Sequence, residues 1–143
     1  MVDKPADADL IIYRTTASPD RRAGGMGGGQ AQQEINIDFP AEKLAVLKQL
    51  VATGKPVVAD INPTGSSLVI TPELQVLPKD LVLSFYPTDG AVMDVIFGRF
   101  NPKSKLPFEI PSSMDAVRAQ KEDMPFDSKD PSFPFGFGLS NAD

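Results

Sequence analysis

Cysteine is absent from this 143-residue chain, and so is histidine. The first absence excludes disulfides, thiol catalysis and cysteine-ligated metals, while leaving an extracellular location open. The second excludes a serine–histidine–aspartate triad, a histidine proton shuttle and a His-ligated zinc built from this chain alone. Acid–base chemistry is left to carboxylates, lysine and tyrosine. No basic run is interleaved with aromatic residues and the net charge is −5, which argues against nucleic acid as a partner. No apolar run approaches bilayer-spanning length, so no membrane partner is expected. The opening Met1-Val2-Asp3-Lys4-Pro5 lacks the apolar segment of a signal peptide. The expectation is a soluble chain of unassigned compartment, which could still be a piece of a longer, exported protein.

What remains is ordinary globular composition, 41% hydrophobic and 23% charged. The length suits a single domain over 1–143 with one core. Leu10, Ile11, Ile12 and Tyr13 form a short continuous apolar run, as in a strand buried on both faces of a parallel sheet. A glycine-rich loop over 18–33 comes next, with Gly24, Gly25, Gly27, Gly28 and Gly29. Its composition fits a flexible surface loop. A phosphate cradle is the weaker reading, because no GxxxxGK[ST] is present and no helix starts directly after the glycines. A mobile active-site loop is the third.

Ile35 to Phe39 alternates apolar and polar residues, and Pro40 then opens a helix as its first residue. Asp38 or Glu42 suits the positive end of that helix. Leu44, Leu47, Leu50 and Val51 fall on one face, which reads as core, and Gly54 ends the element. Val57 to Ile61 is the next strand, Asn62-Pro63-Thr64-Gly65 a turn, and Asp80 to Tyr86 a further buried strand. Asp89 is the expected N-cap of an apolar helix over Ala91 to Phe97, buried on more than one side. Gly98 supplies the left-handed C-terminal cap. Asn101-Pro102 turns the chain, and Pro107 and Pro111 frame a short edge strand, Phe108 to Ile110. A short helix begins at Ser112–Asp115 and runs to Ala119. Phe126, Phe133, Phe135 and Phe137 are expected to staple the tail to the core. Strand, loop, helix, strand, turn, strand, helix, strand implies an α/β fold with a short, mainly parallel sheet flanked by helices.

The run Met93-Asp94-Val95-Ile96-Phe97-Gly98, then Asn101-Pro102-Lys103-Ser104-Lys105-Leu106-Pro107-Phe108, resembles the "aDVLFGxxNPSGrLPfxxP" segment of family 3 glycoside hydrolases. Phe133-Pro134-Phe135-Gly136-Phe137-Gly138-Leu139-Ser140 is similar to their "yPFGyGLSY". Two such motifs in this order are specific, and the likeness covers 8–140. The resemblance implies the later part of the C-terminal α/β-sandwich domain, a truncated version of it. It implies β-glucosidase-type hydrolysis of O-glycosidic bonds in a β-glucoside or oligosaccharide. In the family a (β/α)8 barrel carries the nucleophile aspartate, and the sandwich often supplies the acid/base carboxylate. Nothing here resembles the barrel or the first sandwich strands. An open sheet edge is therefore expected, to be closed by a homodimer or by docking to a barrel chain.

Retaining glycoside hydrolysis needs two carboxyl groups about 5–5.5 Å apart. Open α/β sheets bind ligands at the C-terminal ends of their strands. Asp20 and Glu34 flank the glycine loop, where the resemblance puts the family's acid/base residue, and they are the catalytic candidates. Arg21 and Arg22 could bind sugar hydroxyls or keep the loop soluble. Asp60, placed at the end of its strand, is a substrate-binding candidate, with turn formation as the plainer role. Asp94 reads as structural, bonded to nearby backbone or Arg99. No metal or organic cofactor is implied. Three functions are compatible with these residues: a glycoside hydrolase domain or subunit completed by a barrel, a stand-alone small glycosidase with its site at an oligomer interface, and a non-catalytic carbohydrate-binding or interaction module.

Overall fold

A computed structural model of the chain describes residues 4–18, 36–64 and 67–140. After a 3-10 turn at Pro5–Asp7 come β1 (Ile11–Ala17), α1 (Ala41–Val51), β2 (Val57–Pro63), α2 (Pro72–Val76), β3 (Asp80–Leu83), α3 (Asp89–Ile96) and α4 (Met114–Ala119). The three strands form one parallel sheet in the order β1-β2-β3. The fold is thus the α/β class the alternation implies. Parallel neighbours need a crossover, and α1 and α2 supply the two. Among the described residues no helix is long and apolar enough to cross a membrane.

Side chains alternate across a strand, so β2 has two distinct faces. Val57, Ala59 and Ile61 join Ile11, Ala17, Leu47, Ile70, Leu74 and Ile110 in the core. Leu44, Leu50 and Val51 pack against it, as the α1 stripe requires. The opposite face carries Val58 and Asp60, with Arg14 of β1 in register beside Asp60. That face is where charge enters the sheet.

Several boundaries differ from the sequence expectation. The segment between β2 and β3 holds α2, whose N-cap Thr71 accepts from Leu74 N at 3.2 Å with Pro72 at the helix start. β3 ends at Leu83, and Tyr86 takes φ 53°, a left-handed conformation that no strand continues through. Pro40 sits just outside α1 with ψ 129° and does not form its first turn. The cap of α3 is Thr88, which accepts from Ala91 N, and Asp89 is free to turn its carboxylate toward the sheet. Only Val92 of α3 is buried, and Phe97 is 56% exposed, so this helix packs on one side and not several. Gly98 takes φ 69° after it, as a C-terminal cap should. Asp94 accepts from Arg99 Nε at 2.7 Å, the structural role read for it.

Phe108 to Ile110 forms no strand. Ile110 makes one antiparallel bridge with Phe133, and flanking prolines offer no N–H to extend it. Ser113 caps α4 by accepting from Ala116 N at 3.0 Å. The tail returns through Leu106 N to Phe137 O at 2.8 Å and Gly136 N to Leu106 O at 3.0 Å. At Gly138 a Cβ would stand 2.7 Å from Ser104 O, so this return leaves room for glycine alone. Of the four tail phenylalanines only Phe133 packs against the core. Phe126 and Phe135 stack on each other at 4.3 Å and stay half-exposed, and Phe137 leans on Phe133. Phe126 and Phe135 thus pair with each other and do not enter the core.

Candidate functional site

The C-terminal ends of β1 and β2 are tied together. Thr64 N donates to Ala17 O at 3.1 Å, and the hydroxyls of Ser18 and Thr64 meet at 2.7 Å. Beside this tie lies a cavity of about 770 Å³ whose walls include Ser18, Asn36, Asp38, Phe39, Glu42 and Thr71. It therefore occupies the crevice position expected of an open parallel sheet. The first turn of α1 borders it, and the positive end of that helix favours oxygen-rich ligands there. Asp38 N donates to Asn36 Oδ1 at 2.8 Å, which shapes the chain entering α1. Two carboxylates, two hydroxyls and an aromatic wall can recognise a sugar and present an acid or base to it.

Sequence reasoning assigned Asp38 and Glu42 to the helix end alone and missed their place at this crevice. Their proximity to an N-terminal helix turn after a strand–loop unit was the available signal. Asp20, Arg21, Arg22 and Glu34 lie outside the described residues. The flanking Ser18 and Asn36 both line the crevice.

Asp60 is elsewhere. It lies inside β2, not in a turn after it, and is only 2% exposed. It lines a second cavity of about 470 Å³ with Arg14, Thr15, Thr16 and Asp89. Arg14 Nε donates to Asp60 Oδ2 at 2.7 Å, and Arg14 Nη1 donates to Asp89 Oδ1. The hydrogen bond to Asp60 raises the Arg14 pKa, burial opposes the shift, and Asp89 adds to it. Among the described residues, Asp60 Oδ1 is buried without a hydrogen-bond partner. A charged residue at the centre of each of two apolar strands was the sequence signal for this pair, since buried charges require partners. Among the described residues no group of three or more potential ligands could hold a metal ion.

The profile described as "Glycosyl hydrolase family 3 C-terminal domain" matches residues 1–141. The chain belongs to glycosyl hydrolase family 3. Within the family, it is 46% identical over 139 residues to a periplasmic beta-glucosidase/beta-xylosidase of Dickeya chrysanthemi, covering 97% of this chain and 21% of that protein. It is 44% identical over 150 residues to beta-glucosidase C of Emericella nidulans, covering 100% of this chain and 22% of that protein. It is 36% identical over 142 residues to a probable beta-glucosidase C of Aspergillus flavus, covering 99% and 22%. The solved beta-glucosidase of Listeria innocua in complex with isofagomine shares the fold, with a TM-score of 0.68 at 22% identity, covering 94% of this chain and 21% of that one. The chain thus spans about a fifth of the length of the curated relatives it matches. What it corresponds to in them is the family 3 C-terminal domain, in truncated form.

Proposed function

We propose that this chain is the sandwich part of a β-glucosidase-type glycoside hydrolase and lends a carboxylate to a sugar site completed by another domain. Glu34 or Asp20 acts as the acid/base, and Arg21 and Arg22 hold sugar hydroxyls. A (β/α)8 barrel on another polypeptide segment supplies the nucleophile, and the substrate is a β-glucoside or a short oligosaccharide. The observation that carries this reading is the crevice at the end of β1. Ser18 and Asn36, the residues on either side of the glycine-rich segment, both line it. Asp38 and Glu42 add acceptors for sugar hydroxyls on its wall. The single domain over 1–143 belongs to the same proposal.

Hydrolysis of p-nitrophenyl β-D-glucoside tests it. The chain alone should turn over little or none, and addition of a family barrel chain should restore activity. Glu34→Gln or Asp20→Asn should then lower that activity by roughly 10²–10⁴-fold, the usual share of general acid–base catalysis. Activity left intact after both changes removes the site assignment. The edges of the three-stranded sheet, unpaired among the described residues, favour a second reading, a site assembled between copies of the chain. Turnover by the isolated chain that tracks an oligomer peak selects that one.

A further inference from the structure

We propose that Tyr86 is a stacking platform for a further sugar ring, which extends the crevice at the end of β1 into a site for a β-linked gluco-oligosaccharide. The class of ligand rests on the glycoside hydrolase reading above. The platform itself rests on the conformation and exposure of this residue and on what holds it in place.

The chain on either side of Tyr86 is fixed. Just past the end of β3, Ser84 is buried and its N–H donates to Ile61 O at 3.0 Å. Phe85 is held edge-on against Phe108 at 6.0 Å. Beyond Pro87, Thr88 caps α3. Between these anchors Tyr86 takes φ 53° and stays 70% exposed. A bulky residue is rare at positive φ, and the residue before a proline prefers extended backbone. Glycine would turn the chain here without that steric cost. A tyrosine held there presents an aromatic face to solvent in one place, and strain of this kind gathers at functional positions.

The parallel strands bring the C-terminal ends of β1, β2 and β3 to one rim, where open α/β sheets bind ligands. Ser18 and Thr64 stand on that rim, and Tyr86 follows the end of β3. From β1 to β3 is two strand spacings, about 10 Å, which a short oligosaccharide spans. In β-linked glucose the hydroxyls are equatorial, so C–H groups cover both ring faces and meet the negative face of an aromatic ring. Three residues on, the Asp89 side chain is 93% exposed with one carboxylate oxygen held by Arg14, and it can accept from a sugar hydroxyl. Arg14 and Lys43 together balance Asp60 and Asp89, with the Lys43 ammonium bonded to Thr16, so a neutral ligand suits this side of the sheet.

Tyrosine emission tests the proposal, because the chain has two tyrosines and no tryptophan. The other, Tyr13, packs against the core and donates its hydroxyl to Lys43 O at 3.3 Å, so a sugar-dependent change reports Tyr86. Titration with cellotetraose through the millimolar range should give a change that saturates. Backbone amide shifts of Phe85, Thr88 and Asp89 in the labelled chain should give the same midpoint and serve for the variants. Tyr86→Phe keeps the ring and should bind within about twofold of the parent, whereas Tyr86→Ala should bind about tenfold more weakly. Tyr86→Gly should lose binding as Tyr86→Ala does without lowering the Tm, since the backbone conformation suits glycine. The proposal is overturned if cellotetraose leaves the emission and these amides unmoved, if Tyr86→Ala binds as the parent does, or if Tyr86→Gly lowers the Tm, which would make the ring a packing element. Barrel-restored hydrolysis of the aryl glucoside without a cellotetraose response would overturn the platform and leave the catalytic reading standing. A cellotetraose response without restored hydrolysis would do the reverse, so the two readings fail separately.

Discussion

Arg14 and Asp60 decide what the middle of the sheet tolerates. Asp60 is 2% exposed and the Arg14 side chain 29%, so the pair is held largely out of water. Removing one partner of such a pair leaves an unpaired buried charge, whereas removing both leaves a packable apolar site. Arg14→Met should destabilise the chain by about 3 kcal/mol, and Arg14→Met with Asp60→Leu should recover most of that loss. Urea denaturation of both variants measures it; equal losses in the single and double variants would refute the coupling. The raised Arg14 pKa has a defined consequence for pH. A cation whose folded pKa exceeds its unfolded one contributes stability that is fully present below the unfolded value. It is lost only as pH rises beyond the ordinary arginine range. The shift at Arg14 should therefore impart no pH dependence across neutral pH.

Helix starts carry the information at the scale of elements. Thr71, Thr88 and Ser113 each accept from a backbone N–H three residues on. The worth of each cap depends on how firmly its helix is held in the core. Leu74, just inside α2, is 1% exposed in the core, while α3 buries only Val92. Thr71→Ala should cost about 1 kcal/mol and Thr88→Ala less, since the Thr88 bond is the longer at 3.4 Å. Thermal unfolding of the two variants compares them, and a larger loss at Thr88 would contradict the ranking. The Asp89 expectation went astray for a legible reason: Thr88 and Asp89 are both good caps, and the choice between them is made by Arg14. α2 was missed because a five-residue helix shows no periodicity, although Thr71-Pro72 is a helix-start signature.

At the scale of the whole molecule the described sheet has three strands. Only β2 is paired on both sides among the described residues. Val76, Tyr86, Phe97, Phe100 and Leu139 leave large apolar side chains more than half exposed. Apolar surface and unpaired strand edges favour association. Sedimentation of the purified chain should show mass rising above the monomer as concentration increases across about 1–100 μM. A monomer throughout that range would count against the homodimer.

The family, the α/β class and most of the core were legible in the amino-acid order alone. Those rest on local signals: the 93–108 and 133–140 motifs, the Leu44–Leu47–Leu50–Val51 stripe, and apolar runs bounded by Gly and Pro. Each signal is carried by residues near one another in the chain, so it survives without coordinates. Which charges meet was settled by the folded arrangement. Arg14 and Asp89 are 75 positions apart, and only the parallel register of β1 on β2 and the placement of α3 bring them to Asp60. The same arrangement leaves Phe108 to Ile110 with a single bridge and buries Asp60. Strand pairing and burial depend on which distant segments arrive at a face, and no local pattern encodes that arrival.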